Sequence, residues 1–212
     1  SPMDYQVIDL ADWPRAEYFD HYLNAVPCSY SMTVQLELTA IRRAGLKLYP
    51  TMLYLLTKTV NRFGQFRMAF RPDGQLVRYH SMHPSYTVFH PETETFSSLW
   101  TAYTDDYGAF CRRYADDLHR YGDGAGMFPK PGMPENCFNV SMVPWASFTS
   151  FHLHTADHRY LLPIFTLGKF EERGGKALLP LAAQVHHAVC DGFHLCRFLD
   201  VLQQEMNTPS VP

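Results

Sequence analysis

The chain has 212 residues, with 18 Lys and Arg against 21 Asp and Glu for a formal net charge of −3. That length fits one large domain or two small ones, the charge gives no basic footprint for nucleic acid, and 46% apolar residues exclude a disordered chain. Apolar runs such as 177–183 fall far short of the ~20 residues that cross a bilayer, so no membrane role is expected.

Taken in order, Ser1-Pro2 before Met3 reads as a cloning remnant. Asp12 as N-cap and Trp13-Pro14 in the first turn predict a helix over 12–25. Met32, Val34, Leu36 and Leu38 alternate with Thr33, Gln35 and Glu37, the pattern of a half-buried strand. Tyr49-Pro50 opens a helix with Leu53, Leu56, Val60 and Phe63 on one face, which Gly64 stops. A turn at Arg71-Pro72-Asp73-Gly74 joins two short strands. Thr104-Asp105-Asp106 starts a helix to about Tyr121, and a loop follows over 122–134. Strands are expected near 136–142, 147–153 and 162–169, then a hairpin turn over 171–176 and a long strand over 177–188. A last helix over 192–206 buries Leu195, Leu199, Leu202 and Met206. Helices and strands mix without βαβ alternation, and no linker or repeat interrupts them, so the fold class is α/β of the α+β kind, with a mixed sheet, in one domain over 1–212.

The five cysteines (28, 111, 137, 190 and 196) are odd in number and widely spaced, with no C-x-x-C pair. With no signal peptide recognised, they read as free thiols in a reducing cytoplasm. Charged residues are only 18%, against roughly 25% in typical soluble domains, while aromatics reach 15%. Such a chain covers more apolar surface than a monomer of its size needs, which calls for a subunit interface, an apolar pocket, or both.

The densest reactive stretch is QVHHAVCDGFH at 184–194, where strand meets helix. Side chains alternate along a strand, so His186 and His187 face opposite ways, His187 sharing its parity with Leu179, Leu181, Ala183 and Val185. Several readings compete. Zinc could use His187, Cys190, Asp191 or His194, but the spacing is not a two-histidine helix motif and no further ligand cluster accompanies it. A Cys190 nucleophile needs a histidine partner that sequence adjacency does not supply. A histidine general base, with Asp191 as structural partner, suits imidazole chemistry near neutral pH. Ordinary strand-end histidines bonded to backbone explain the spacing equally well.

HHxxxDG is the signature of the CoA-dependent acyltransferase superfamily, and the longer string resembles that of the chloramphenicol acetyltransferases. The blocks FRMA (66–69), YTVFH (86–90), ETETFS (92–97), Pro144-Trp145 with Ser147-Phe148, and FTLGK (165–169) resemble the same family in its order, as do Trp13 and Arg15. The resemblance runs from about Asp9 to Gln204.

It implies a two-layer sandwich of mixed sheet and helices, acetyl-CoA as co-substrate, no metal, and direct acetyl transfer to the primary hydroxyl of chloramphenicol. By position in the motif, His187 would be the base and Ser141 the donor to the tetrahedral oxyanion. Thr166 would hold a water beside it, and Asp191 would pair with Arg15. The acceptor pocket carries over to Tyr22, Cys28, Thr87, Phe96, Phe128 and Leu153, and coenzyme A contacts to Trp145, Tyr49, Lys47 and Lys169. Phe170 stands where related sequences often have tyrosine. The family implies a homotrimer in a bacterial cytoplasm, its active sites shared between subunits, serving antibiotic inactivation. Alternatives are an acyltransferase for another hydroxyl or thiol, and a non-catalytic drug binder.

Overall fold

The computed structural model describes residues 4–210, so the reading of Ser1-Pro2 lies outside it. In chain order come β1 (Tyr5–Val7), α1 (Ala16–Asp20) running into a π-helical turn (His21–Ala25), β2 (Ser29–Glu37), α2 (Thr39–Arg43) and α3 (Leu48–Val60). There follow β3 (Met68–Phe70), β4 (Leu76–Tyr79), β5 (His83–His90), β6 (Thr95–Trp100), α4 (Tyr107–Tyr121) and β7 (Cys137–Met142). β8 (Ile164–Leu167), β9 (Glu171–Arg173), β10 (Lys176–His186) and α5 (Gly192–Asn207) complete the chain.

The main sheet has the order β2-β10-β8-β7-β5-β6, with β9 pairing β10. β7 lies parallel to both β5 and β8, and the other pairs are antiparallel, so the sheet is mixed. β1, β4 and β3 form a small antiparallel sheet of their own.

β10 reads as a nearly continuous apolar run because both its faces are covered. Leu179, Leu181, Ala183 and Val185 are buried on the face shared with Phe165 and Leu167 of β8. There α3 and α5 pack, and Phe198 of α5 sits between Phe66 and Phe165 at centroid distances of 4.4 and 5.4 Å. Truncating such a ring costs about 3–5 kcal/mol. α3 is buried almost all round, and the hydroxyls of Thr51, Thr57 and Thr59 donate to carbonyls one turn back, which satisfies them in the core. The opposite face of β10 is covered by the segment 148–153. Ser31 Oγ donates to the Phe151 carbonyl at 2.7 Å, and the Gln184 amide bonds both N–H and C=O of Leu153 at 2.8 and 2.7 Å.

Several expectations need correction. The stretch 147–153, expected as a strand, is irregular, its Leu153 backbone paired with a side chain instead of a neighbouring strand. Asp12 is not the cap of the first helix: its N–H bonds Asp9 C=O in a preceding turn, and helix begins at Ala16, after Arg15. The helix does not stay α to its end, because Val26 N–H bonds His21 C=O five residues back. The long strand stops at His186, two residues early. β1, β5, β6 and α2 were not read from the pattern, and β9 occupies the first half of the stretch 171–176 expected as a turn. β5 and β6 hide behind inward serines, whose hydroxyls bond one another (Ser85 to Ser98, 3.0 Å) or a loop carbonyl (Ser97 to Gly126).

Candidate active site

The HHxxxDG segment turns sharply between β10 and α5. His186, the last strand residue, makes the turn: its carbonyl accepts from Val189 and Cys190 N–H, and its Nδ1 accepts from Ala188 N–H at 3.0 Å. That acceptor role puts the ring proton on Nε2, which donates to the His158 carbonyl at 2.9 Å. Burial lowers its pKa, which favours this neutral form. Both nitrogens of His186 are thus committed.

His187 lies one residue past the strand, so its direction is set by the turn and not by strand alternation. Its ring is half-buried, stacked on Tyr22 at 3.7 Å and 9°, with the edge of Tyr30 at 5.5 Å. Its N–H bonds the Cys28 carbonyl. Nδ1 is buried 3.2 Å from Asp191 Oδ1, but the alignment is not that of a hydrogen bond and Nδ1 has no other partner. The ring's exposure therefore lies away from Nδ1.

α1 supplies the clamp on this turn. Phe19 anchors the helix against Trp13 and Phe70, at 5.2 and 6.1 Å. Arg15 and Tyr22, two turns apart, then both reach the motif. Arg15 holds Asp191 with two bonds (Nη2–Oδ1 2.7 Å, Nη1–Oδ2 3.0 Å), and donates to the carbonyls of His187 at 2.8 Å and Ala188 at 2.7 Å. The Arg15 bonds hold the Asp191 carboxyl below its usual pKa, against the opposing effect of burial. Asp191 N–H in turn donates to His194 Nδ1 at 2.9 Å, fixing the start of α5.

Cys190 is fully buried, and burial pushes its thiol up to about 12, so it is no thiolate nucleophile near neutral pH. Among the described residues no group of three or more His, Cys, Asp or Glu is arranged to hold a metal ion.

A second cluster lies mid-sheet. Ser141 of β7 and Thr166 of β8 are register partners, with Oγ and Oγ1 3.2 Å apart. Thr166 is buried, with Ala182 of β10 beside it in register, and Ser141 is partly open. Just beyond, Lys169 N–H bonds the Ala146 carbonyl, which brings exposed Lys169 beside Trp145. Gly168 permits that approach, since a Cβ there would stand 2.7 Å from the Phe148 ring and 3.1 Å from the Ala146 carbonyl. Trp145 is 62% exposed and meets Phe89 edge-on at 4.8 Å. Tyr49 is tied inward, its hydroxyl on the Thr87 carbonyl at 3.3 Å, and Lys47 is exposed at the start of α3. Phe170 carries the Arg42 guanidinium over its ring at 5.1 Å.

The chain thus gathers His187, Asp191, Arg15, Tyr22 and Cys28 at one corner, Ser141 with Thr166 at another place, and Trp145 with Lys169 near the latter. No hydrogen bond or ring contact among the described residues links His187 to Ser141. Phe96, Phe128 and Leu153 are 49%, 61% and 41% exposed, an unusual state for residues expected to line a pocket. Tyr30 was missed from the sequence. Its hydroxyl donates to the Cys190 carbonyl at 3.0 Å while its ring flanks His187. Only the pairing of Tyr30 with Val185 between two distant strands brings it there. Among the described residues no helix is long and apolar enough to cross a membrane.

A family profile described as chloramphenicol acetyltransferase matches residues 3–203. A chloramphenicol acetyltransferase from Campylobacter coli is 53% identical over 206 residues, spanning 97% of this chain and 100% of its own. One from Escherichia coli is 47% identical over 205 residues, 94% and 93% of the two chains. Among solved structures, a chloramphenicol acetyltransferase superposes with TM-score 0.85 at 24% identity, over 95% of this chain and 99% of that one. A dihydrolipoamide acetyltransferase from Azotobacter vinelandii superposes with TM-score 0.65 at 19% identity, over 91% and 86%. The fold is that of the CoA-dependent acyltransferases, and the chain belongs to the chloramphenicol acetyltransferase family.

Proposed function

We propose that this chain, acting as one domain, O-acetylates the primary hydroxyl of chloramphenicol with acetyl-CoA as donor. The observation that carries the reading is the corner at which Arg15 and Asp191 hold the turn that carries His187 while Tyr22 and Tyr30 flank its ring, in a chain about half identical to named chloramphenicol acetyltransferases. His187 takes the hydroxyl proton as the acceptor oxygen bonds to the thioester carbonyl carbon. The resulting oxyanion accepts a hydrogen bond from Ser141, whose neighbour Thr166 holds a water. Collapse breaks the C–S bond, and the thiolate of coenzyme A recovers the proton from His187. A pre-aimed donor of the Ser141 kind contributes about 2.7–4 kcal/mol in other enzymes.

We further propose a homotrimer in which His187 of one copy faces Ser141 and the acceptor pocket of the next. The separation of the two clusters within one chain supports this, as do the exposed Phe96, Phe128 and Leu153, which a neighbouring copy would cover. An open cleft of about 1120 Å³ lined by Phe89, Phe96 and Met127 supplies apolar wall on that surface. Trp145, Lys169, Lys47 and Tyr49 would border coenzyme A, with the exposed lysines suited to its phosphates. Five unpaired cysteines accord with a reducing bacterial cytoplasm, where the reaction would inactivate the antibiotic.

The test is thiol release from acetyl-CoA with and without chloramphenicol. Drug-dependent release is expected. Release only with a different hydroxyl or thiol acceptor, or saturable drug binding without release, would overturn the assignment.

A further inference from the structure

Behind the Arg15–Asp191 corner, away from the Ser141 cluster, lies a cleft of about 260 Å³ lined by Trp13, Arg15, Gln65, Arg78, Val189 and His194 among others, with no acidic side chain in its wall. Arg78 of β4 forms no ion pair with a carboxylate among the described residues. Its buried Nε has no hydrogen-bond partner, and Nη2 has only the weak acceptor Met68 Sδ, at 3.9 Å. The guanidinium lies flush on bare backbone, since a Cβ at Gly64 would stand 2.8 Å from Nε. Arg67, nearby, is bonded to the carbonyls of Val60 and Tyr79, and burial and then the charge of Arg78 depress its pKa. The positive charge here is thus uncompensated.

The other wall adds a donor. His194 uses Nδ1 to accept from Asp191 N–H, so its neutral ring carries its proton on Nε2. A cleft whose walls carry the remaining N–H groups of the Arg78 guanidinium, an imidazole N–H and the Gln65 amide, with no carboxylate among its lining residues, matches a tetrahedral oxyanion. Such an anion takes bidentate, charge-assisted bonds from arginine.

We propose that this cleft binds a small phosphate-type oxyanion, held by Arg78 and His194 against the back of the corner that carries His187. The site is independent of the acetyl-transfer reading and distinct from the residues assigned to coenzyme A. Because Arg15 forms part of both the cleft wall and the clamp on the His187 turn, occupancy would stiffen that turn.

The probe is inorganic phosphate, titrated into the full chain at constant ionic strength while thermal unfolding is followed. A saturable rise in Tm is expected, about 3–5 °C at ten times Kd, with none from chloride. Arg78→Met should abolish the response. Should that variant fold poorly, Gln65→Glu serves instead: its carboxylate should pair with Arg78, raise Tm without phosphate and cancel the phosphate response. With acetyl-CoA at saturation the phosphate response should persist, which separates free anion from the coenzyme's own phosphates. No saturable response, a response unchanged in Arg78→Met or Gln65→Glu, or one abolished by acetyl-CoA would overturn the proposal.

Discussion

Replacing Arg15 with Ala and, separately, Asp191 with Asn should give unequal losses of stability. Arg15 makes four bonds, two to Asp191 and one each to the carbonyls of His187 and Ala188. Asp191→Asn removes the charge and one acceptor, but leaves both carbonyl bonds and one side-chain bond in place. Because the Asp191 side chain is 41% exposed, its ion pair is worth about 1 kcal/mol rather than the several expected of a buried pair. Arg15→Ala loses that and also strips the donors from two carbonyls, one of them on a buried residue, at about 1 kcal/mol or more each. The expected totals are about 1 kcal/mol for Asp191→Asn and about 3 kcal/mol for Arg15→Ala. At roughly 2–4 °C per kcal/mol for a chain this long, the melting points should fall by about 2–4 and 6–12 °C. Thermal melts at neutral pH measure both. Acid should erase the difference: Asp191's pKa is lowered on folding, so its contribution is present above pH about 4 and fades as pH falls through the lowered value. The gap between parent and Asp191→Asn should therefore close in acid. Equal losses for the two variants, or a gap that widens in acid, would refute the reasoning.

The two motif histidines should separate cleanly: His187→Ala should lose about 10²–10⁴ in kcat with the fold kept. His186→Ala should instead lose about 2–3 kcal/mol of stability, as thermal melts would show, since it strips the partners of Ala188 N–H and His158 C=O. Ser141→Ala should lower kcat by about 10²–10³ with little change in KM, as read by thiol release. Under a thiol-alkylating reagent near pH 8, exposed Cys196 should label and buried Cys190 should not, as mass mapping of peptides would show.

Fold class was legible because the strongest pattern, the apolar run of β10, forms an interior strand of the sheet, paired on both sides, and because α4 and α5 carry clear apolar faces. The start of α4 was legible at Thr104-Asp105-Asp106, and the cap proves to be Asp106, its side chain accepting from Ala109 N–H. What escaped was structure whose partners are far away in sequence. β5 and β6 bury polar residues that bond each other or a loop, so local hydrophobicity does not mark them. The segment 148–153 lay in an expected strand, yet its Leu153 backbone is held by the Gln184 side chain. At the site, the motif named the residues, but spacing could not set their roles. That His186 spends both nitrogens on backbone while His187 spends neither on a hydrogen bond depends on where β10 ends, and strand alternation placed that end two residues too late.

The most direct test of a site shared between copies is activity in a mixture of two inactive variants. His187→Ala and Ser141→Ala chains, each assayed alone for chloramphenicol-dependent thiol release, should be nearly dead. Unfolded and refolded together, they should form mixed assemblies in which an intact His187 of one copy faces an intact Ser141 of another, and activity should return. Mixed assemblies that stay as inactive as the separate variants would contradict the account.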